Sequence, residues 1–281
     1  MASLAVPLSQ RPLSERAFVA MNRRAADAGR APIVRLDEDI EALDAATGSR
    51  RRSKDALRQL GRDGRVRRVR RGVYLLETPT GSTSASLLPL IDAITPRPYL
   101  VTAGSALVEF SLSDQHFFRT VVLTPRRLDN WAWQGEEVRY AVVAPERIWG
   151  LYTPNGPSIA VPERAILDCL ANPQWGVSVP QAAEALDRGL PRPGQPGRID
   201  VLNLARATER YGSAAVARRL GYLVDLLRGS AIAEPFLELR GGSHKHVLLG
   251  SSGPDQGTSS PRWGLRINVD PDALVAHRII G

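Results

Sequence analysis

Apolar positions recur at helical spacing early in the chain. Ala17, Phe18, Met21 and Ala25 share one side of a helix predicted over residues 14–28, which Gly29 is placed to end and Pro32 follows. A short second helix is expected from Asp37, with Asp37 capping its free amides, Glu38, Asp39 and Glu41 at its positive end, and Ile40 and Leu43 marking its buried face. Thr47 and Gly48 then turn the chain into a third helix over residues 49–62. At about 100° per residue, Ser53, Ala56, Leu57 and Leu60 fall on one side of that helix. Arg51, Lys54, Asp55, Arg58 and Arg62 fall in a stripe on the opposite side.

Beyond Gly64 the period shortens. In RVRRVRRGVYLL, Val66, Val69, Val73, Tyr74 and Leu75 favour strand, and Arg70-Arg71-Gly72 suits a reversal between two strands. Alternation fails around Arg67 and Arg68, which predicts a bulge or an edge strand. Helix, helix, turn, basic helix and basic hairpin are the order of a winged helix-turn-helix, assigned here to residues 1–77. The polar, turn-rich run over residues 78–86 is taken as a linker.

Residues 87–281 are expected to form a larger mixed α+β domain, so the fold class is α+β. A helix is predicted over 84–94, an extended segment at Tyr99 and a short helix from Ser105. Strands are expected over 119–124, 138–143, 148–152 and 158–161, and helices over 162–170, 180–188, 199–210 and 213–227. HVLLG and LRINVD resemble strands, separated by a Gly/Ser/Pro-rich loop around residues 251–261. On the helix that starts at Pro162, Ala165, Ile166, Cys169 and Leu170 form the buried stripe, with Arg164 and Asp168 pairing on the other side. Arg218, Arg219, Tyr222 and Leu223 are assigned to packing rather than to a second DNA surface.

Charge sharpens the picture. Residues 50–72 carry eleven Lys or Arg against two acids, Asp55 and Asp63; the chain's 37 basic and 29 acidic residues leave 26 and 27 outside that segment. All but Lys54 and Lys245 of the basic residues are Arg. A GC-rich coding bias raises Arg everywhere but does not gather it in one segment. A local cationic block on an otherwise neutral chain is the footprint of a polyanion partner. Double-stranded DNA fits best: Arg51, Lys54 and Arg58 would reach base edges in the major groove, and hairpin arginines would meet phosphate or a narrow minor groove. The DNA-binding set is Arg51, Arg52, Lys54, Arg58, Arg62, Arg67, Arg68, Arg70 and Arg71. Single-stranded RNA is disfavoured because the hairpin lacks paired exposed aromatics for stacking.

Other classes are set aside on chemistry. No apolar run approaches the roughly 20 residues that cross a bilayer, and the first residues lack a secretory signal pattern. Cys169 is the only cysteine, which forbids an intramolecular disulfide and suits a reducing cytoplasm. His244 and His246 form a lone HxH without further ligands, His116 is expected as a partly buried ring, and His277 has no evident partner. Asp225, Glu238 and Arg240 only loosely match a metal-dependent nuclease site, which would be the least favoured function. Gly104-Ser105 is not followed closely by the paired carboxylates of a nucleotidyltransferase; the later pair is Asp270 and Asp272. No catalytic residue, metal or cofactor is assigned, and the chain is expected not to be an enzyme.

The runs VTAGSALVEFSL, YAVVAPERIWGLYTPNGPSIAVPERAILDCL and ARRLGYLVDLL, together with RVRRGVY in the basic hairpin, resemble the AbiEi family over nearly the whole chain. These are the antitoxins and autorepressors of AbiE toxin-antitoxin systems. The resemblance implies a repressor that binds inverted repeats upstream of its own operon through two copies of the N-terminal module, hence a homodimer on DNA. It also implies a nucleotidyltransferase-like toxin as the partner gene, counteracted through the C-terminal domain. A DNA- or RNA-binding regulator with no toxin partner is the alternative.

Overall fold

The computed structural model describes residue 7 and residues 10–77, 86–153, 156–192, 194–242, 246–250 and 256–280, and divides into two compact units, Met1–Pro96 and Arg97–Gly281. Both mix helices and strands.

The first unit runs α1 (Leu13–Asp27), β1 (Ile33–Arg35), α2 (Leu36–Thr47), α3 (Arg50–Arg62), β2 (Val66–Arg70), β3 (Val73–Leu76) and α4 (Leu87–Ile94). Its sheet has the order β1-β3-β2 and is antiparallel throughout. Ala17, Met21 and Ala25 of α1, Leu43 of α2 and Ala56, Leu57 and Leu60 of α3 close on Val34, Val66 and Leu76 of the sheet. The short strand β1 escapes sequence reading because three residues are too few to set a period. Helix α2 begins one residue before Asp37, so Asp37 sits inside the first turn and caps nothing; it pairs with Arg35 at 2.8 Å instead. Buried Asp39 takes the Arg35 backbone N–H at 3.1 Å and the Arg30 guanidinium at 2.9 Å. Helix α4, which sequence placed with the second domain, packs on β1 and belongs to the first unit. The expected linker lies outside the described residues except for Ser86.

The second unit contains β4 (Leu100–Thr102), α5 (Gly104–Glu109), β5 (Arg119–Thr124), β6 (Trp131–Trp133), β7 (Glu136–Val142), β8 (Leu151–Tyr152), β9 (Ile159–Ala160), α6 (Pro162–Ala171), α7 (Val179–Gly189), α8 (Val201–Tyr211), α9 (Ala214–Arg228) and α10 (Ser230–Ala233). It ends with β10 (Val247–Leu248), β11 (Thr258–Ser260), β12 (Leu265–Ile267), α11 (Pro271–Val275) and α12 (His277–Ile280). Six strands form one mixed sheet in the order β6-β7-β5-β4-β9-β8, with β4/β9 and β5/β7 parallel. Helix α6 is the hub, touching α5, α7, α8 and α9. A small sheet, β10-β12-β11, follows; part of the segment expected to be loop supplies β11, which pairs with β12.

Helix α6 departs from its predicted single stripe. Arg164 and Asp168 are each only 1% exposed, because α6 is covered on every side. Asp168 accepts from Arg164 Nε at 2.9 Å, Thr102 Oγ1 at 2.7 Å and Tyr211 Oη at 3.0 Å. Arg164 also donates to the Arg147 carbonyl at 2.8 Å and lies over the rings of Trp149 and Tyr211. Burial and the Asp168 charge push the Tyr211 phenol up, so it remains a donor. The pair is an internal network rather than a surface contact.

Arginine has a recurring job here: its fixed fork of N–H groups ties backbone carbonyls together. Arg218 is buried and donates to the Arg240 carbonyl, and Arg219 joins the carbonyls of Leu248 and Leu170 at 2.9 and 2.8 Å. These cations pack the unit, as expected from the sequence of α9.

Candidate nucleic-acid interface

Placement of α3 depends on its N-terminal turn. Gly48 takes a positive φ of 92°, Ser49 caps the Arg52 amide, and the buried Ser53 hydroxyl binds Asp44 of α2 while contacting Thr47 at 2.7 Å. Arg50 Nε joins the same carboxylate at 2.7 Å. The Ser53 hydrogen bond, followed by Arg50, holds the Asp44 carboxyl below its ordinary range. Ser53 is the polar pin in an otherwise apolar face, and it fixes how α3 leaves α2.

With Ser53, Ala56, Leu57 and Leu60 buried, the opposite face is turned outward. Arg51, Arg52, Lys54, Arg58 and Arg62 are all exposed. Arg58 donates to Asp55 at 2.7 Å, so Asp55 orients an arginine of the stripe. Among the described residues, the side chains of Arg51, Arg52, Lys54, Arg62 and Arg71 make no ion pair or hydrogen bond with the protein.

The hairpin carries the rest. Gly72 adopts φ 83° at the reversal, and the pairing register shifts between Arg68 and Arg70, so the bulge falls at Val69. Arg67, Arg68 and Arg71 are exposed and Arg70 is half-buried. Arg67 pairs with Glu77 at 2.9 Å, and Arg68 Nε reaches the Arg70 carbonyl at 3.3 Å. Arg65 instead stacks over Phe18 at 4.0 Å and anchors the hairpin to α1. Eight of the nine sequence-selected residues are therefore exposed on α3 and the β2–β3 hairpin, with the ninth half-buried beside them. This surface can bind anionic oxygen atoms and donate paired hydrogen bonds to base edges.

Residues weighed for catalysis have other employment. Ser105 shares a hydrogen bond with Thr120 at 2.7 Å, and Asp270 caps α11 by accepting the Asp272 amide at 3.0 Å. Asp225 accepts from Trp263 Nε1 and Ser230 at 2.8 Å each. Among the described residues no three His, Cys, Asp or Glu side chains gather as a metal site; His244 lies outside them. His116 is exposed, edge-on to Phe118, rather than partly buried. His277 does have a partner, Asp187, at 2.9 Å. No helix among the described residues is long and apolar enough to cross a membrane.

No family model and no curated protein matches the chain. Among solved structures it is similar to the RV2827C protein from Mycobacterium tuberculosis, with a TM-score of 0.66 at 17% identity, over 100% of this chain and 97% of that one. The likeness extends through both units and is one of fold.

Proposed function

We propose that the chain is a double-stranded-DNA-binding antitoxin that represses its own toxin-antitoxin operon. In this reading residues 1–77 are a winged helix-turn-helix: α2 and α3 are the helix-turn-helix, α3 enters the major groove, and the β2–β3 hairpin is the wing. The element order and the β1-β3-β2 sheet support that assignment. The observation that carries the function is the cationic stripe on α3, exposed opposite its packed face and continued by the hairpin arginines. Phosphate contacts from Arg62, Arg67, Arg68, Arg70 and Arg71 position the module, and Arg51, Arg52, Lys54 and Arg58 read bases.

Two copies of the module would sit on an inverted repeat upstream of the operon, as a homodimer on DNA. The AbiEi resemblance supports a nucleotidyltransferase-like toxin as the partner gene, counteracted through the C-terminal part, and the lone cysteine suits a cytoplasmic role. Non-catalytic regulation also suits the second unit, whose Arg164, Arg218 and Arg219 are engaged in packing. A footprint on the upstream region of the chain's own gene tests the reading. A protected inverted repeat, lost when Arg58 and Arg71 are both changed to Glu, is the expected result; no protection at any upstream sequence would refute it.

A further inference from the structure

In the second unit, basic side chains gather around Asp187. This carboxylate, at the end of α7, is 1% exposed and is met by three guanidiniums and one imidazole. Arg192 donates to it at 3.0 Å, Arg278 at 2.7 Å and His277 lies at 2.9 Å, with Arg228 the fourth. Arg228 also donates to the carbonyls of Pro191 and Leu190, which locks the cluster to the turn after α7. One carboxylate thus organises more positive charge than it neutralises.

That surplus lines an open cavity of about 750 Å³, with Arg188, Arg192, Arg228, His277 and Arg278 in its wall. A neighbouring cavity of about 350 Å³ shares Arg188 and Arg192 and adds Arg198. Arg188 is held by Asp114 and Glu184, so the two cavities set five guanidiniums against three carboxylates. Arg278 Nη1 and Arg192 Nε and Nη1 have no protein acceptor among the described residues. They belong to groups whose other nitrogens are already fixed by Asp187, so their donors are oriented in advance.

We propose that these neighbouring cavities bind an oligophosphate, either inorganic or the phosphate chain of a nucleotide. Guanidiniums in the walls of two neighbouring cavities suit a ligand with several phosphates, and the larger volume is that of a small-ligand site. Among the described residues no Trp, Tyr or Phe lines either cavity, which argues against a nucleic-acid strand held by base stacking.

Calorimetric titration of the full chain with inorganic tripolyphosphate, at a fixed ionic strength of about 0.15 M, tests this. Saturable 1:1 binding is expected, weakened at least about tenfold when Arg192 and Arg198 are both changed to Gln, with thermal unfolding used to verify that the variant is folded. Arg198→Gln alone is the second variant and should weaken binding in the same direction. ATP binding as tightly as tripolyphosphate would identify phosphates as the recognised group, and tighter ATP binding would identify a nucleotide; both sustain the site. No saturation up to about 10 mM, equal affinity in the folded double variant, or binding of a single-stranded oligonucleotide in place of tripolyphosphate would overturn it.

Discussion

Replacing Asp168 with Ala should strike the second unit harder than any surface change. The substitution removes the acceptor of three hydrogen bonds, from Arg164, Thr102 and Tyr211, and leaves the Arg164 charge 1% exposed. The Arg147 carbonyl and the faces of Trp149 and Tyr211 still contact the guanidinium but do not neutralise it. Removing one partner of a buried pair costs about 3–5 kcal/mol. In a unit of this size each kcal/mol moves Tm by about 2–4 °C, so Asp168→Ala should lower the midpoint by about 6–20 °C. All five tryptophans lie within the second unit, so tryptophan fluorescence during heating reports that unit selectively. Changing Arg164 to Met together with Asp168 to Leu removes both charges and should recover part of the loss, since apolar replacements of a buried pair are often tolerated. A midpoint for Asp168→Ala within about 2 °C of wild type, or a double variant no better than the single one, would refute this reasoning.

Two further predictions concern the same unit. Burial raises the Asp187 carboxyl, but hydrogen bonds from Arg278, Arg228 and His277, with the Arg228 charge, more than reverse this and hold it well below the ordinary carboxylate range. Its stabilisation is therefore present above an unfolded pKa of about 4 and is lost as pH falls toward the lower folded value. Urea midpoints should fall more steeply below about pH 4 for wild type than for Asp187→Asn, which should be less stable at neutral pH; parallel curves would contradict the assignment. Gly221 sits inside α9, where propensity alone would make Ala stabilising by about 1 kcal/mol. A Cβ there would lie 2.0 Å from Cζ3 of Trp263, a buried ring tethered to Asp225, so overpacking of about 1–3 kcal/mol should win and Gly221→Ala should melt lower. A raised Tm would show that the ring moves aside.

Sequence pattern exposed the first unit well because its helices are amphipathic and its charge is local. Ser53 was placed on the packed side of α3 by angle alone, and its contacts with Asp44 and Thr47 account for a hydroxyl in that position. Strands β1 and β6 are three residues each and carry too little periodicity to announce themselves. Arg164 and Asp168 have the spacing of a surface i,i+4 pair, and only Thr102 and Tyr211, 66 and 43 residues from Asp168, make them an internal network. Asp187 and His277 meet across 90 residues, so neither could be assigned its role locally. The cationic stripe was legible because one helix and one hairpin hold all of it. The cavities beside Asp187 were not, because their walls come from segments far apart in the chain.

The most direct test of DNA binding is the affinity for the chain's own upstream region measured across a salt series, with wild type beside Arg58→Glu/Arg71→Glu. If about six phosphates are neutralised by each protomer, log K should fall with log salt at a slope of roughly −5 per protomer, and the variant should lose operator binding while keeping its Tm. A slope near zero, or wild-type affinity in that folded variant, would contradict the proposed role of α3 and the hairpin.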